Sequence, residues 1–207
     1  MLSDYYLDTN IIFGYIITHD RIHPECCIIF EMPNIKFTCI SVKQELDDIL
    51  QRGKSAYEEV IKKTNGKEIA ITNLDFSSRW KQNFIESAFD KLPMSTNHIK
   101  YLRLLILEAE QRKIDAFQKI SMPLVQKCDD DSLADDLNCE CDIDIGDDMI
   151  LCNYCVSSMT RTYTIFITDD GKIWKNKESI INFFQRKGFT RTKLSISSIH
   201  NIIHPDT

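Results

Sequence analysis

The order of apolar and polar positions along the chain predicts short strands that alternate with helices. Three runs rich in β-branched or aromatic residues, at 5–8, 35–40 and 162–167, have the composition of strands, and shorter candidates lie at 69–72 and within 194–199. Apolar residues at helical spacing occupy much of the chain between them. This alternation predicts an α/β fold with a central, mostly parallel sheet.

The helices are predicted from apolar spacing together with residues that start or stop a helix. Pro24 suits the first turn of one helix, and Ser41-Val-Lys-Gln fits a capping box that opens another. Gly53 is expected to interrupt that helix before it continues to about residue 64. Further helices are predicted at 11–16, 80–89, 97–120, 148–156 and 178–187.

One segment departs from this pattern because it is almost entirely polar and acidic. Residues 129–148 contain ten acids and no Lys or Arg, and little apolar content precedes Ile143. Such a composition buries little surface, so we expect a mobile loop over about 121–145.

The net charge of the chain is dominated by the acidic segment and does not reveal a basic stretch further along the sequence. The net charge is −6, but without those ten acids the chain has 25 basic and 21 acidic residues, a net charge of +4. Seven basic residues and one acid lie between 171 and 193. This stretch is either a solvated helix face or a surface that contacts phosphates. The residues proposed for phosphate contact are Arg186, Lys187, Arg191 and Lys193.

The eight cysteines allow two interpretations. With no secretory signal in the sequence, reduced thiols in a cytoplasmic protein are expected, and no apolar run is long enough to predict a membrane helix. Alternatively, Cys139, Cys141, Cys152 and Cys155 could bind zinc, although the last two fall within a predicted helix.

Several acids stand where parallel strands end or where the next helices begin. Asp8 ends the first predicted strand, Asp169 and Asp170 follow another, and Glu45 and Asp148 lie in first helical turns. Sites in open α/β sheets form beyond the carboxyl ends of the strands. Carboxylates that converge there repel one another unless cations neutralise them, and oxygen ligands favour Mg²⁺ or Mn²⁺.

Each acid also has a structural interpretation. Asp8 could cap a helix, Glu45 could be a solvated surface residue, and Asp169 and Asp170 could be turn residues before a glycine. Asp147 is well placed as an N-cap after Gly146, which makes Asp148 the better candidate ligand.

Taken together, the acids form an ordered pattern. It consists of Leu7-Asp-Thr-Asn, Ser41 followed by Glu45, Asp148-Met-Ile-Leu, and Ile165-Phe-Ile-Thr-Asp-Asp. In order and placement this pattern resembles the PIN-domain family of nucleases over about 120 positions. The resemblance implies a three-layer α/β/α fold and a metal-dependent endoribonuclease. In that family four carboxylates bind Mg²⁺ or Mn²⁺, which activates a water that hydrolyses RNA.

By matching position, the resemblance makes Asp8, Glu45, Asp148 and Asp170 the acidic quartet. Asp147 and Asp169 are adjacent alternatives for their neighbours. Thr9, Asn10 and Thr168 would orient the carboxylates. A homodimer partner or an antitoxin-like protein inhibitor is implied in the same way.

The chain is expected to be one domain, 1–207, with a helical insertion at 73–144 where small family members have a short connection. Two further functions remain open. The chain could be an inactive PIN-like scaffold in an RNA-processing complex, or a metal-dependent phosphatase or DNA flap nuclease with similar acids. No P-loop and no Ser/His/Asp or Cys/His arrangement is evident in the sequence.

Overall fold

A four-stranded parallel sheet organises the chain. The computed structural model describes residues 3–64, 76–92, 97–121, 124–125, 130–161, 163–189 and 194–205. Within these, the strands are β1 (Asp4–Leu7), β2 (Lys36–Phe37), β3 (Thr164–Thr168) and β4 (Leu194–Ser198), in the spatial order β2-β1-β3-β4. All neighbours pair in parallel, which confirms the predicted α/β class. The strand expected at 69–72 lies outside the described residues.

Helices connect the strands and flank the sheet. Their bounds are α1 (Thr9–Ile16), α2 (His23–Glu31), α3 (Ile40–Lys63), α4 (Arg79–Asp90), α5 (His98–Lys119), α6 (Asp131–Cys141), α7 (Asp147–Ser158), α8 (Gly171–Lys175), α9 (Lys177–Arg186) and α10 (Ile199–Ile203). No helix in the described ranges is long and apolar enough to cross a membrane.

The first strand shows how both faces of the sheet are covered. Successive side chains of a strand point to opposite faces. The Tyr5 hydroxyl reaches the sulfur of Met32 at the end of α2, whereas the buried Tyr6 ring contacts Tyr154 of α7 and Phe37 of β2. The sheet is therefore packed on both sides, and its parallel strands bring their carboxyl ends to one edge.

Helix α3 differs from its prediction at two places. It begins at Ile40 after Cys39, which makes no side-chain cap, so the capping box expected at Ser41 is wrong. It also runs through Gly53 without a break. A Cβ at position 53 would lie 2.9 Å from Cζ of Phe84 in α4. The glycine therefore permits close helix packing here and does not end the helix.

The predicted acidic loop is wrong over residues 131–141, which form α6. Leu133, Ala134 and Leu137 are buried on one side of this helix. The Asp130 side chain accepts a hydrogen bond from the Leu133 amide at 3.0 Å and caps the helix. A small apolar stripe is thus sufficient to hold an otherwise acidic helix against the rest of the fold.

The middle of the chain is helical, as predicted. The helices α4 and α5 each pack against α3, and the rings of Phe89 and His98 meet edge to face with centroids 5.0 Å apart. This part of the proposed insertion therefore packs directly on the helix that carries Glu45.

Candidate functional site

A cavity of about 430 Å³ lies at the edge where β1 and β3 end. It receives side chains from the start of α1, from α3, from α4 and from the segments that lead into α7 and α8. Five acids line it: Asp8, Glu45, Asp144, Asp147 and Asp170. No Lys or Arg is among the described residues of its lining. The topology therefore gathers acids that are up to 162 positions apart in the sequence, Asp8 and Asp170.

Asp8 is the buried centre of this arrangement. Its side chain is the N-cap of α1 and accepts a hydrogen bond from the Thr9 amide at 2.7 Å. Its other oxygen accepts hydrogen bonds from the Thr168 hydroxyl at 2.6 Å and the Asn10 side-chain amide at 3.0 Å. The cap predicted as the structural interpretation of Asp8 is confirmed, and it also fixes the carboxylate at the cavity.

Glu45 is hydrogen-bonded by Thr9, the first residue of α1. The Thr9 hydroxyl donates a hydrogen bond to Oε2 of Glu45 at 2.6 Å, while the rest of the Glu45 side chain is exposed. Thr9, Asn10 and Thr168 thus contact the carboxylates that they were predicted to orient.

The two acids after β3 are separated. Oδ1 of Asp170 accepts hydrogen bonds from the amides of Lys172 and Ile173 and caps α8, and Asp170 lines the cavity. Asp169 instead forms an ion pair with Arg21 and is not part of the lining. The structure therefore favours Asp170 over Asp169 as the site residue of this pair.

The adjacent acids of α7 are placed in the opposite way from the prediction. Gly146, at φ +105°, is the N-cap, so Asp147 is the first helical residue and not the cap. Asp147 lines the cavity. Asp148 is buried outside the lining, and its Oδ1 accepts hydrogen bonds from the amides of Gly146 at 2.9 Å and Met149 at 2.6 Å. Asp147, the predicted alternative to Asp148, is therefore the one of the two acids that lies in the cavity.

Burial and mutual repulsion alter the proton affinity of two cavity acids. Burial, opposed in part by the Thr168 and Thr9 hydrogen bonds, raises the pKa of Asp8 to about 7. Burial, followed by the charges of Asp8, Asp170 and Glu45, raises the pKa of Asp147 to about 8. The cavity therefore favours either protons or a cation beside these groups.

The carboxylates share a cavity without converging on one point. Among the described residues, no three His, Cys, Asp or Glu side chains are arranged as ligands of a single metal ion. Several carboxylate oxygens are engaged by Thr9, Thr168 and the amides of α8. The chemistry of the donors nevertheless fits a hard divalent cation, because all are carboxylate oxygens and two have raised pKa values that a cation would offset.

Two of the basic residues predicted to contact phosphates form ion pairs with the acidic helix α6. Arg186 pairs with Glu140 of α6, and Nζ of Lys187 lies 2.5 Å from Oδ2 of Asp136. Arg191 and Lys193 lie outside the described residues. Lys172 pairs with Asp144, at 2.6 Å, so this fifth cavity acid is neutralised within the chain. The phosphate-contact interpretation of the basic stretch gains no support from these contacts.

The four cysteines considered as zinc ligands, all of them described, are not grouped as one ligand set. Cys139 is exposed on α6, whereas Cys152 and Cys155 are buried on α7, and no disulfide joins the seven described cysteines. Within the described ranges these side chains form no group that could hold a metal ion.

A second cavity, of about 150 Å³, lies among α1, α3, α4 and α5. Its lining is largely apolar and includes Tyr57 and Phe84. Behind it His19 is buried between the hydroxyls of Tyr57 and Ser87, and burial lowers its pKa to about 4. These features are typical of a packed helix interface, so the acidic cavity is the better candidate site.

Four apolar residues that line the cavity were not predicted as site residues: Phe13, Ile49, Trp80 and Ile145. Trp80 reaches the cavity from α4, and Ile145, which is 93% exposed, lies at its edge. In the sequence Ile145 is recognisable as an apolar residue within an acid-rich segment. Its proximity to Trp80 depends on tertiary packing and could not be predicted.

Comparisons of this chain with protein-family models, with curated proteins and with solved structures find no match.

Proposed function

We propose that this chain is a PIN-like, divalent-metal-dependent endoribonuclease that acts at the acidic cavity. The observation that carries the proposal is the convergence of Asp8, Glu45, Asp147 and Asp170 on one cavity at the carboxyl edge of a parallel sheet. The site is where open α/β sheets place their ligands, and its acids come from four separate segments.

These four carboxylates would hold Mg²⁺ or Mn²⁺. When bound, such an ion supplies Lewis-acid chemistry, lowering the pKa of water and stabilising charge on a phosphoryl oxygen. Asp147 replaces Asp148 in this set because it is Asp147 that faces the other acids.

The remaining residues of the site position the carboxylates. Thr168 and Asn10 fix Oδ2 of Asp8, and Thr9 fixes Glu45. Without a cation the pKa of Asp147 is raised to about 8, so a metal ion bound by this carboxylate would displace a proton near neutral pH. These contacts restrict the rotation of the acids, and such outer contacts usually matter about 10- to 100-fold for a metal site.

The decisive experiment is cleavage of labelled RNAs and single-stranded DNAs in Mn²⁺, Mg²⁺ or EDTA. The wild-type protein is compared with Asp8→Asn and with Asp48→Asn, an exposed acid on the same helix as Glu45. We expect metal-dependent RNA cleavage that is lost in Asp8→Asn and kept in Asp48→Asn.

The other outcomes separate the alternatives. Cleavage of DNA alone would keep the chemistry and replace the substrate. Absence of cleavage, together with no rise in melting temperature on adding Mn²⁺, would refute the enzyme. That result would favour the inactive scaffold.

A further inference from the structure

Trp80 gives the acidic cavity an aromatic wall. It lies in the second position of α4, within the proposed insertion, and lines the same cavity as Asp8 and Glu45. Trp80 is 38% exposed, so part of its surface is open to solvent beside the carboxylates.

The orientation of the indole is fixed from within the protein. Phe84, one turn further along α4, stacks against Trp80 with ring centroids 5.0 Å apart and planes inclined by 10°. Phe84 in turn packs on Tyr57 and against Gly53 of α3. The ring is therefore supported from one side by the core, and its exposed area is held at the cavity.

The guanidinium group of Arg52 lies over the Trp80 ring. The guanidinium carbon of Arg52 lies 5.6 Å from the centroid of Trp80, near the outer limit of about 6 Å for a cation–π contact. Within the described part of the chain, no carboxylate is recorded as an ion-pair partner of Arg52. The contact is loose enough for a planar group to replace it, and the displaced guanidinium would remain beside that group.

We propose that Trp80 and Arg52 form a platform that stacks an unpaired nucleobase of a single-stranded nucleic acid next to the carboxylates. Aromatic rings accept the face of any base, and guanidinium groups stack on bases or bind phosphates. A duplex hides its base faces within the stack, so the platform selects single strands. The inference rests on the proposed nuclease function and adds its substrate class and a positioning residue.

Fluorescence tests the platform without relying on cleavage. The chain has two tryptophans, and Trp174→Phe leaves Trp80 as the single indole. This variant is titrated with a short single-stranded RNA homopolymer, with the matching DNA strand and with an RNA duplex, each in EDTA and in Mg²⁺. We expect quenching of Trp80 fluorescence by the single strands and little change with the duplex.

Substitution then separates stacking from packing. In the chain with both tryptophans, Trp80→Ala is expected to weaken single-strand binding about 10-fold or more, whereas Trp80→Phe should retain most of it. In cleavage assays, KM should rise in Trp80→Ala with a smaller change in kcat. Melting temperatures of both variants serve as the control for a purely structural role.

The results also distinguish this inference from the proposed function. Quenching without any cleavage would support the platform in a binding module and refute the nuclease. Cleavage with unchanged KM in Trp80→Ala would refute the platform and leave the nuclease standing. Equal quenching by duplex and single strand, or equal losses in the Ala and Phe variants that follow their melting temperatures, would also overturn the platform.

Discussion

The chain contains two acidic regions that the fold treats in opposite ways. On α6, Asp136 and Glu140 lie at the surface and pair with Lys187 and Arg186 of the neighbouring α9 segment. At the sheet edge, Asp8 and Asp147 are buried or half-buried among other carboxylates, and no basic residue is among the described lining of their cavity.

The two groups of acids therefore differ in solvation: those of α6 are exposed and paired with basic residues, whereas those of the cavity are desolvated beside other acids. Exposed pairs are screened by water and contribute little to stability. Desolvated acids without a cation instead hold their protons, as the raised pKa values of Asp8 and Asp147 show. The density of acids in the sequence is therefore a poor guide to function, and their solvation and partners are better ones.

The largest expected effect concerns the two adjacent acids of α7. If the cavity defines the site, Asp147→Asn should lower the rate of RNA cleavage on the order of 1,000-fold, because a residue of the metal-binding set is lost. Asp148→Asn should retain most of the activity, since an amide oxygen can still accept the two backbone hydrogen bonds. The reverse result would restore the assignment made from sequence and contradict the geometry.

The next effect is the pH dependence of stability without divalent ions. Asp8 and Asp147 have folded-state pKa values of about 7 and 8, above the ordinary value of 3.8. The folded protein therefore binds more protons between pH 4 and 8, and its free energy of unfolding should fall as the pH rises through that window. The shift of Asp8 alone corresponds to about 4 kcal/mol, and Asp147 adds a contribution that its partial exposure reduces.

Urea titrations in EDTA at pH 5 and pH 8 measure this loss. Asp147→Asn should flatten the dependence, and Asp48→Asn should leave it unchanged. Addition of Mn²⁺ should raise the melting temperature more at pH 8 than at pH 5. A stability that rises with pH over this range would show that the cavity acids are already neutralised by partners.

A smaller effect tests the structural role of Asp148. Its replacement by Ala leaves the amides of Gly146 and Met149 without their side-chain acceptor. We expect a loss of about 1–2 kcal/mol in unfolding free energy, measured by urea denaturation. Asp148→Asn is the matched control, and an equal loss in both variants would indicate that the charge of Asp148 matters more than its two hydrogen bonds.

The smallest effect is expected in the surface pairs of α6. Exchanging the charges of Asp136 and Lys187 in a double variant should restore whatever stability each single reversal removes. Each single change should shift the melting temperature by no more than about 2 °C, and less in high salt. A large shift of the melting temperature that salt does not reduce would show that these acids contribute substantially to the stability of the fold.

The fold and the site were predictable to different degrees. The apolar runs before Asp8 and Asp169 made the strands and their acidic ends visible in the sequence. The choice between Asp147 and Asp148 was not accessible, because it depends on the helical phase that Gly146 sets with its positive φ. The partners of Arg186 and Lys187 were equally hidden, since they come from tertiary packing.

The helix α6 could have been predicted from the sequence, where a mobile loop was expected instead. Leu133, Ala134, Leu137 and Cys141 recur at helical spacing and are buried. The count of acids outweighed that periodicity in the prediction, although a few correctly spaced apolar residues decide the structure.

The absence of a side chain at Gly53 links two parts of the molecule that differ in role. It lies eight positions after Glu45 on α3, and it lets Phe84 approach closely beneath Trp80. The absence of a methyl group at position 53 thus allows the acid-bearing helix to contact Phe84, on which Trp80 stacks. A larger residue there would have to displace the Phe84 ring on which Trp80 stacks, so a position outside the acidic cavity affects the aromatic side of that cavity.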